Sequence, residues 1–162
     1  MGRRSACVAV LVFVFSVIMP WTARAGSVWD PNDLQQRLDI RWVGIAIQAD
    51  GRMRVTLTFH DPVRTWQFKD RLVQVQFGPS RGAPYVEENF FLTRTHRLKA
   101  VTCFGGSGCL DGVRVLRPNP HSIRARFTFP NAYDPADWLF RGLTTAQPQG
   151  RILDRTRWSS VG

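Results

Sequence analysis

Met53-Arg54-Val55-Thr56-Leu57-Thr58-Phe59-His60 alternates apolar and polar side chains with a period of two. Successive side chains on a strand point to opposite faces. The octet therefore reads as a half-buried strand, with Met53, Val55, Leu57 and Phe59 inward and Arg54, Thr56, Thr58 and His60 toward water. The pattern recurs downstream. Ile123, Ala125, Phe127 and Phe129 alternate with Arg124, Arg126 and Thr128, and Val73, Val75 and Phe77 alternate with Gln74 and Gln76. Residues 39–49 are more apolar (Ile40, Trp42, Val43, Ile45, Ile47) and predict a more deeply buried strand. It leads into the octet through Asp50-Gly51, the two-residue signal of a type I′ hairpin. Weaker strands are expected over residues 88–93, 97–103, 112–116 and 138–144. Turn formers separate these runs: Asp61-Pro62, Gly78-Pro79-Ser80-Arg81-Gly82, Pro118-Asn119-Pro120 and the Pro-bounded residues 130–135. No stretch keeps an apolar period of 3.6 for three turns, and residues 33–38 offer one helical turn at most. About eight short strands without crossover helices predict an all-β, antiparallel β-sandwich, jelly-roll or immunoglobulin-like, and exclude a βαβ fold.

The chain has 162 residues, 44% hydrophobic and 21% charged, with a formal net charge of +10. That balance excludes a disordered or collagen-like chain, and the length allows one domain. The N-terminus reads MGRRSACVAVLVFVFSVIMPWTARA. Arg3 and Arg4 precede 14 uncharged residues, 6–19, and Pro20 ends the run. Ala23-Arg24-Ala25 offers small residues at the two positions a signal peptidase reads. Residues 1–25 are therefore expected to be a signal peptide, cut before Gly26. The apolar run is shorter than the ~20 residues a membrane-spanning helix needs, so the mature chain, residues 26–162, is expected to carry no membrane span. Losing Arg3, Arg4 and Arg24 leaves 19 basic against 12 acidic residues, a net of +7.

The mature chain keeps Cys103 and Cys109, separated by Phe104-Gly105-Gly106-Ser107-Gly108. Three glycines supply the backbone freedom of a tight reversal. An extracytoplasmic destination favours oxidation, so a disulfide closing this small loop is expected. Chain entropy assigns so short a loop roughly 2.4 kcal/mol. A redox pair would favour C-x-x-C, and zinc would need two further ligands.

Trp29-Asp30-Pro31-Asn32-Asp33, followed by Leu38-Asp39-Ile40-Arg41, resembles the opening of a group of uncharacterised secreted bacterial β-sandwich proteins. The Asp-Gly hairpin, the Thr-rich second strand and the Trp138 strand are similar in order, so the resemblance covers most of residues 29–158. It implies a sandwich distantly like carbohydrate-binding modules and implies no established activity. Related chains often carry an Asp-rich stretch after the third strand. This chain has Gly78-Pro79-Ser80-Arg81-Gly82 there, and an ion site built on such acids would lack its ligands.

Three chemistries are open to the remaining polar residues. Asp30, Asp33 and Asp39 lie within ten residues, and Asp154 lies near the other end. If the termini meet at one edge, these carboxylates could gather around calcium, with backbone carbonyls completing a shell of 6–8 oxygens. The plainer reading has Asp30 and Asp33 capping a turn and Asp39 pairing with Arg37 or Arg41. Arg52, Arg54, Arg124 and Arg126 project from the wet sides of two strands beside Thr56, Thr58 and Thr128. Should those strands share a sheet, the guanidinium groups and hydroxyls form an anion-binding face; the plainer reading is a solvated sheet face. The tryptophans read more readily as core or edge packing than as ligand platforms. Hydrolytic signatures are missing: no G-x-S-x-G, no H-E-x-x-H, scattered His60, His96 and His121, and adjacent Glu87-Glu88 that a strand would turn to opposite sides.

The expected function is a secreted, non-enzymatic binding or cell-surface interaction module for an anionic or carbohydrate ligand, such as an acidic polysaccharide or wall polymer. It needs no cofactor apart from the calcium just considered. Nucleic acid is not an expected partner. The alternatives are a small secreted hydrolase with a site assembled from distant residues, and a purely structural envelope protein.

Overall fold

Alternating side chains give each strand one apolar face, and two sheets close those faces against each other. The computed structural model describes residues 24–31, 38–48, 52–79, 86–105, 108–110, 113–128 and 138–161. Among them are thirteen strands: β1 (Arg24–Trp29), β2 (Ile40–Ile47), β3 (Arg52–Phe59), β4 (Arg71–Gly78), β5 (Val86–Leu92), β6 (Leu98–Phe104), β7 (Gly108–Cys109), β8 (Val113–Arg114), β9 (Leu116–Asn119), β10 (Ser122–Thr128), β11 (Leu139–Ala146), β12 (Arg151–Arg155) and β13 (Ser159–Ser160). Eight of these have six residues or more. A single 3-10 turn, Thr65–Phe68, is the one helical element of the described residues. The five-stranded sheet has the order β1-β2-β3-β10-β9. The eight-stranded sheet runs β12-β11-β4-β5-β6-β7, with β13 added to β11 and β8 to β6. All pairings are antiparallel, and the molecule is an all-β sandwich.

The inward faces carry the residues the alternation marks. Met53, Val55, Leu57 and Phe59 from β3, Ile123, Ala125 and Phe127 from β10, and Val73, Val75 and Phe77 from β4 are all buried. Phe77 and Phe127 meet edge to face across the sandwich at 6.1 Å. At Gly142 the sheets touch: a Cβ there would stand 2.7 Å from Val43 and 3.1 Å from Ile40. Strands β1, β7, β12 and β13 have no counterpart among the expected strands, and β9 runs through Pro118 and Asn119, where a turn is expected. Residues 33–37 of the helical turn expected over 33–38, the Asp50-Gly51 turn, Phe129 and the segment before Arg24 lie outside the described residues.

Residues 39–49 depart from expectation in one respect. Ile40, Val43, Ile45 and Ile47 are buried, but Trp42 is only half-buried. The cause is a β-bulge. Ile40 pairs with Phe59 and Trp42 pairs with Thr58, so Arg41 is an extra residue in β2. The bulge shifts the alternation by one place and turns Trp42 onto the outer face.

A carboxyl group also lies inside. Glu88 follows Val86 and precedes Phe90 on the inward side of β5, opposite Val75 and Thr102, and its exposure is 0%. The Thr102 hydroxyl donates to its Oε2 at 2.6 Å. Its Oε1 is buried without a hydrogen-bond partner among the described residues. Burial disfavours the charged form and pushes the Glu88 pKa up to about 7 from an ordinary 4.5; the Thr102 hydrogen bond opposes the shift. The folded state therefore holds this proton more tightly than the unfolded chain. Its stabilising effect is complete below pH 4.5 and is lost as pH rises through 7. Denaturant melts at pH 4.5 and pH 8 should differ on the order of 3 kcal/mol from this group, with lower stability at pH 8. Glu88→Gln should remove most of that difference and raise stability at pH 8.

Candidate functional site

Register decides which side chains share the outer face of the five-stranded sheet, because residues directly opposite on antiparallel strands project to the same side. One row across the sheet is Trp29, Trp42, Thr58, Ser122 and Asn119. The next row is Ser27, Gly44, Thr56, Arg124 and Leu116, and the third is Ala25, Ala46, Arg54 and Arg126. Arg52 stands opposite Thr128 at the end of the face. The four arginines expected to share a face thus lie on adjacent strands of one sheet, and Arg54 and Arg126 oppose each other directly. Arg124 donates through Nε to Thr56 Oγ1 at 3.2 Å, and Thr58 and Ser122 share a hydroxyl hydrogen bond of 2.9 Å. None of these register positions carries a carboxylate. Like charges directly opposed across a strand pair are destabilising, and a bound anion offsets that repulsion.

The face also contains a hollow. Its volume is about 280 Å³, and its walls include Ser27, Trp42, Gly44, Ala46, Arg54 and Thr56. The depression follows from residue size, since Ser27, Gly44 and Ala46 are small at outward positions flanked by larger ones. The Trp42 ring lies over Gly44, where a Cβ would collide with the indole. Trp29, 64% exposed, stands beside it with ring centroids 6.3 Å apart and a tilt of 54°. The Arg41 guanidinium lies over the Trp29 ring at 5.6 Å. Trp138 is buried, and Trp29 is exposed on the edge strand β1 while packing against Trp42.

Three of the four expected calcium ligands meet at the other candidate. Asp30 follows β1, Asp39 precedes β2, and Asp154 sits in β12. One carboxylate oxygen from each lies within 4.8 Å of the other two. Asp39 and Asp154 are buried, and Asp30 is half-buried. Asp154 reaches across from the opposite sheet to accept the Ile40 N–H at 2.7 Å. Thr144 donates to the Leu38 carbonyl at 2.9 Å, and His60 Nε2 lies 3.3 Å from the Asp30 carbonyl. Asp33 lies outside the described residues. An oxygen-only set of this kind matches the preference of hard cations.

The remaining polar residues take up separate positions. Cys103 and Cys109 are bonded, with Sγ atoms 2.09 Å apart, as directly opposed residues of β6 and β7. Glu87 faces outward and accepts from Gln76 Nε2 at 2.9 Å, while Glu88 faces the core. His96 occupies the exposed turn between β5 and β6, while His60 and His121 follow β3 and precede β10. Sequence reasoning missed the Trp42 hollow. Its only sequence signal was the run of small residues at Gly44 and Ala46, which acquires meaning once the bulge puts them on the outer face. Comparison of the chain with protein-family models, with curated proteins and with solved structures finds no match.

Proposed function

We propose that the chain is an exported, non-enzymatic binding module whose five-stranded sheet takes an anionic or carbohydrate ligand, an acidic polysaccharide or wall polymer being the extracellular partner of that chemistry. The observation that carries this reading is the direct opposition of Arg54 and Arg126, with Arg124 beside them, on a face whose register positions hold hydroxyls and no acids. Guanidinium groups in that arrangement can grip carboxylate, sulfate or phosphate groups through paired hydrogen bonds. Cleavage before Gly26 would shorten β1 by two residues and leave Ser27, Trp29 and all four arginines in place.

Retention on an immobilised acidic polysaccharide should be salt-sensitive. The double variant Arg54→Gln/Arg126→Gln should weaken binding by about tenfold or more, the loss expected when charge-assisted hydrogen bonds disappear. Equal retention of variant and wild type would remove the arginine face from consideration. Turnover of a glycan or ester substrate panel would favour the hydrolase instead.

A second reading is favoured by the convergence of Asp30, Asp39 and Asp154 from three separate segments. In this reading the three carboxylates hold calcium where the chain's two ends join, and the ion stabilises the fold without taking part in chemistry. Thermal melting should then shift upward by several degrees in millimolar calcium and return on addition of a chelator. Asp30→Asn should abolish the shift. A melting temperature indifferent to calcium would leave the three aspartates as a purely structural cluster.

A further inference from the structure

The arginines account for one half of the outer face, and the hollow beside them is unused by a ligand that is simply an anion. Resting on the reading above, we propose that this hollow is a sugar-ring subsite: one pyranose of an acidic polysaccharide stacks on the Trp42 indole while its acid group reaches Arg54 and Arg126.

Four observations support this assignment. First, Trp42 is turned outward by the bulge at Arg41 although an inward position would bury it among Ile40, Val43 and Ile45. Second, the ring has a reserved place. The indole occupies the space above Gly44 that any larger residue's Cβ would need, and it lines the hollow. Third, Trp42 and Arg54 line the same hollow. The indole overlies Gly44, two positions along the sheet from the Arg54 row, a separation of about 7 Å at strand rise. One sugar residue spans that gap between its apolar ring face and its acid group. Fourth, the rest of the wall is chemically suited to a sugar. Ser27 and Thr56 offer hydroxyls, and the small side chain of Ala46 leaves room beside the indole that covers Gly44. A linear inorganic polyanion would use the arginines and gain nothing from the indole. A pyranose presents C–H bonds to the electron-rich ring face and hydroxyls at its rim, so it uses both.

The test compares two probes on the full chain, an oligogalacturonate and an inorganic polyphosphate of similar charge. Wild type should bind both. Trp42→Ala should lose at least tenfold in affinity for the oligogalacturonate and keep its affinity for polyphosphate, whereas Arg54→Gln/Arg126→Gln should lose both. Trp42→Phe, which retains an aromatic face, should recover part of the oligogalacturonate affinity. A readout on wild type guards against misfolding of the alanine variant. The Trp42 indole N–H resonance, assigned by its disappearance in Trp42→Phe, should shift with oligogalacturonate and stay in place with polyphosphate. Unchanged oligogalacturonate binding by Trp42→Ala, or an indole resonance that ignores the sugar, overturns the stacking subsite and leaves the arginine face standing. Failure of wild type to bind either probe overturns the arginine face and the subsite together.

Discussion

Seven residue pairs across β3 and β10, from Thr58 with Ser122 to Arg52 with Thr128, hold the polarity of the five-stranded sheet in place. Every inward member is apolar and every outward member is a hydroxyl or a guanidinium. A slip of one residue would exchange the two sets, driving Arg124 and Arg126 into the core and Ile123, Ala125 and Phe127 into water. The cost of burying unpaired charge is many times that of any single contact on the outer face. The arginine face is thus a by-product of a register that the core enforces, and no residue on that face has to hold it together.

This explains why the fold and part of the site were legible in the sequence. Period-two alternation over β3, β4 and β10 reports the register directly, because burial on one face acts on every second residue. The Cys103–Cys109 bond was legible because five intervening residues, three of them glycine, leave few other geometries for a tight reversal. The convergence of Asp30, Asp39 and Asp154 was legible only as a conjecture, since it depends on β12 reaching β2 across more than a hundred residues. Strands β1, β12 and β13 gave no signal. β13 is two residues long, β12 is an edge strand without alternating burial, and β1 alternates in burial but sets Gly26 and Val28 against Ala25, Ser27 and Trp29, which is no apolar–polar alternation. Trp42 was misjudged for a definite reason: a bulge costs the chain one residue of phase, and a run of apolar residues contains no alternation from which a phase change could be noticed.

The two sheets treat polar residues differently. Outside, the eight-stranded sheet builds a ladder in which Arg141 reaches Gln76 at 3.0 and 2.9 Å and Gln76 reaches Glu87 at 2.9 Å, with Arg141 also lying over Trp158. Donors and acceptors there satisfy one another. Across the sandwich, the row of Arg54 and Arg126 has no such sequence of alternating partners among the described residues. A surface whose polar groups are mutually satisfied has little to gain from a ligand, and one that concentrates a single sign of charge does. The asymmetry between the two outer faces, more than the arginine count of the chain, singles out the five-stranded sheet.

The contact between Asp154 and the Ile40 amide has a consequence for how the molecule comes into being. It joins positions 114 residues apart, and the nearby bonds of Thr144 to Leu38 and Ser159 to Ser27 span 106 and 132 residues. Closure of so long a loop precedes any return from the contact it makes, which places this fold among the slow ones. Until β11, β12 and β13 are made, the opening strands lack the hydrogen bonds that brace them, so their final set of contacts is delayed relative to their own synthesis.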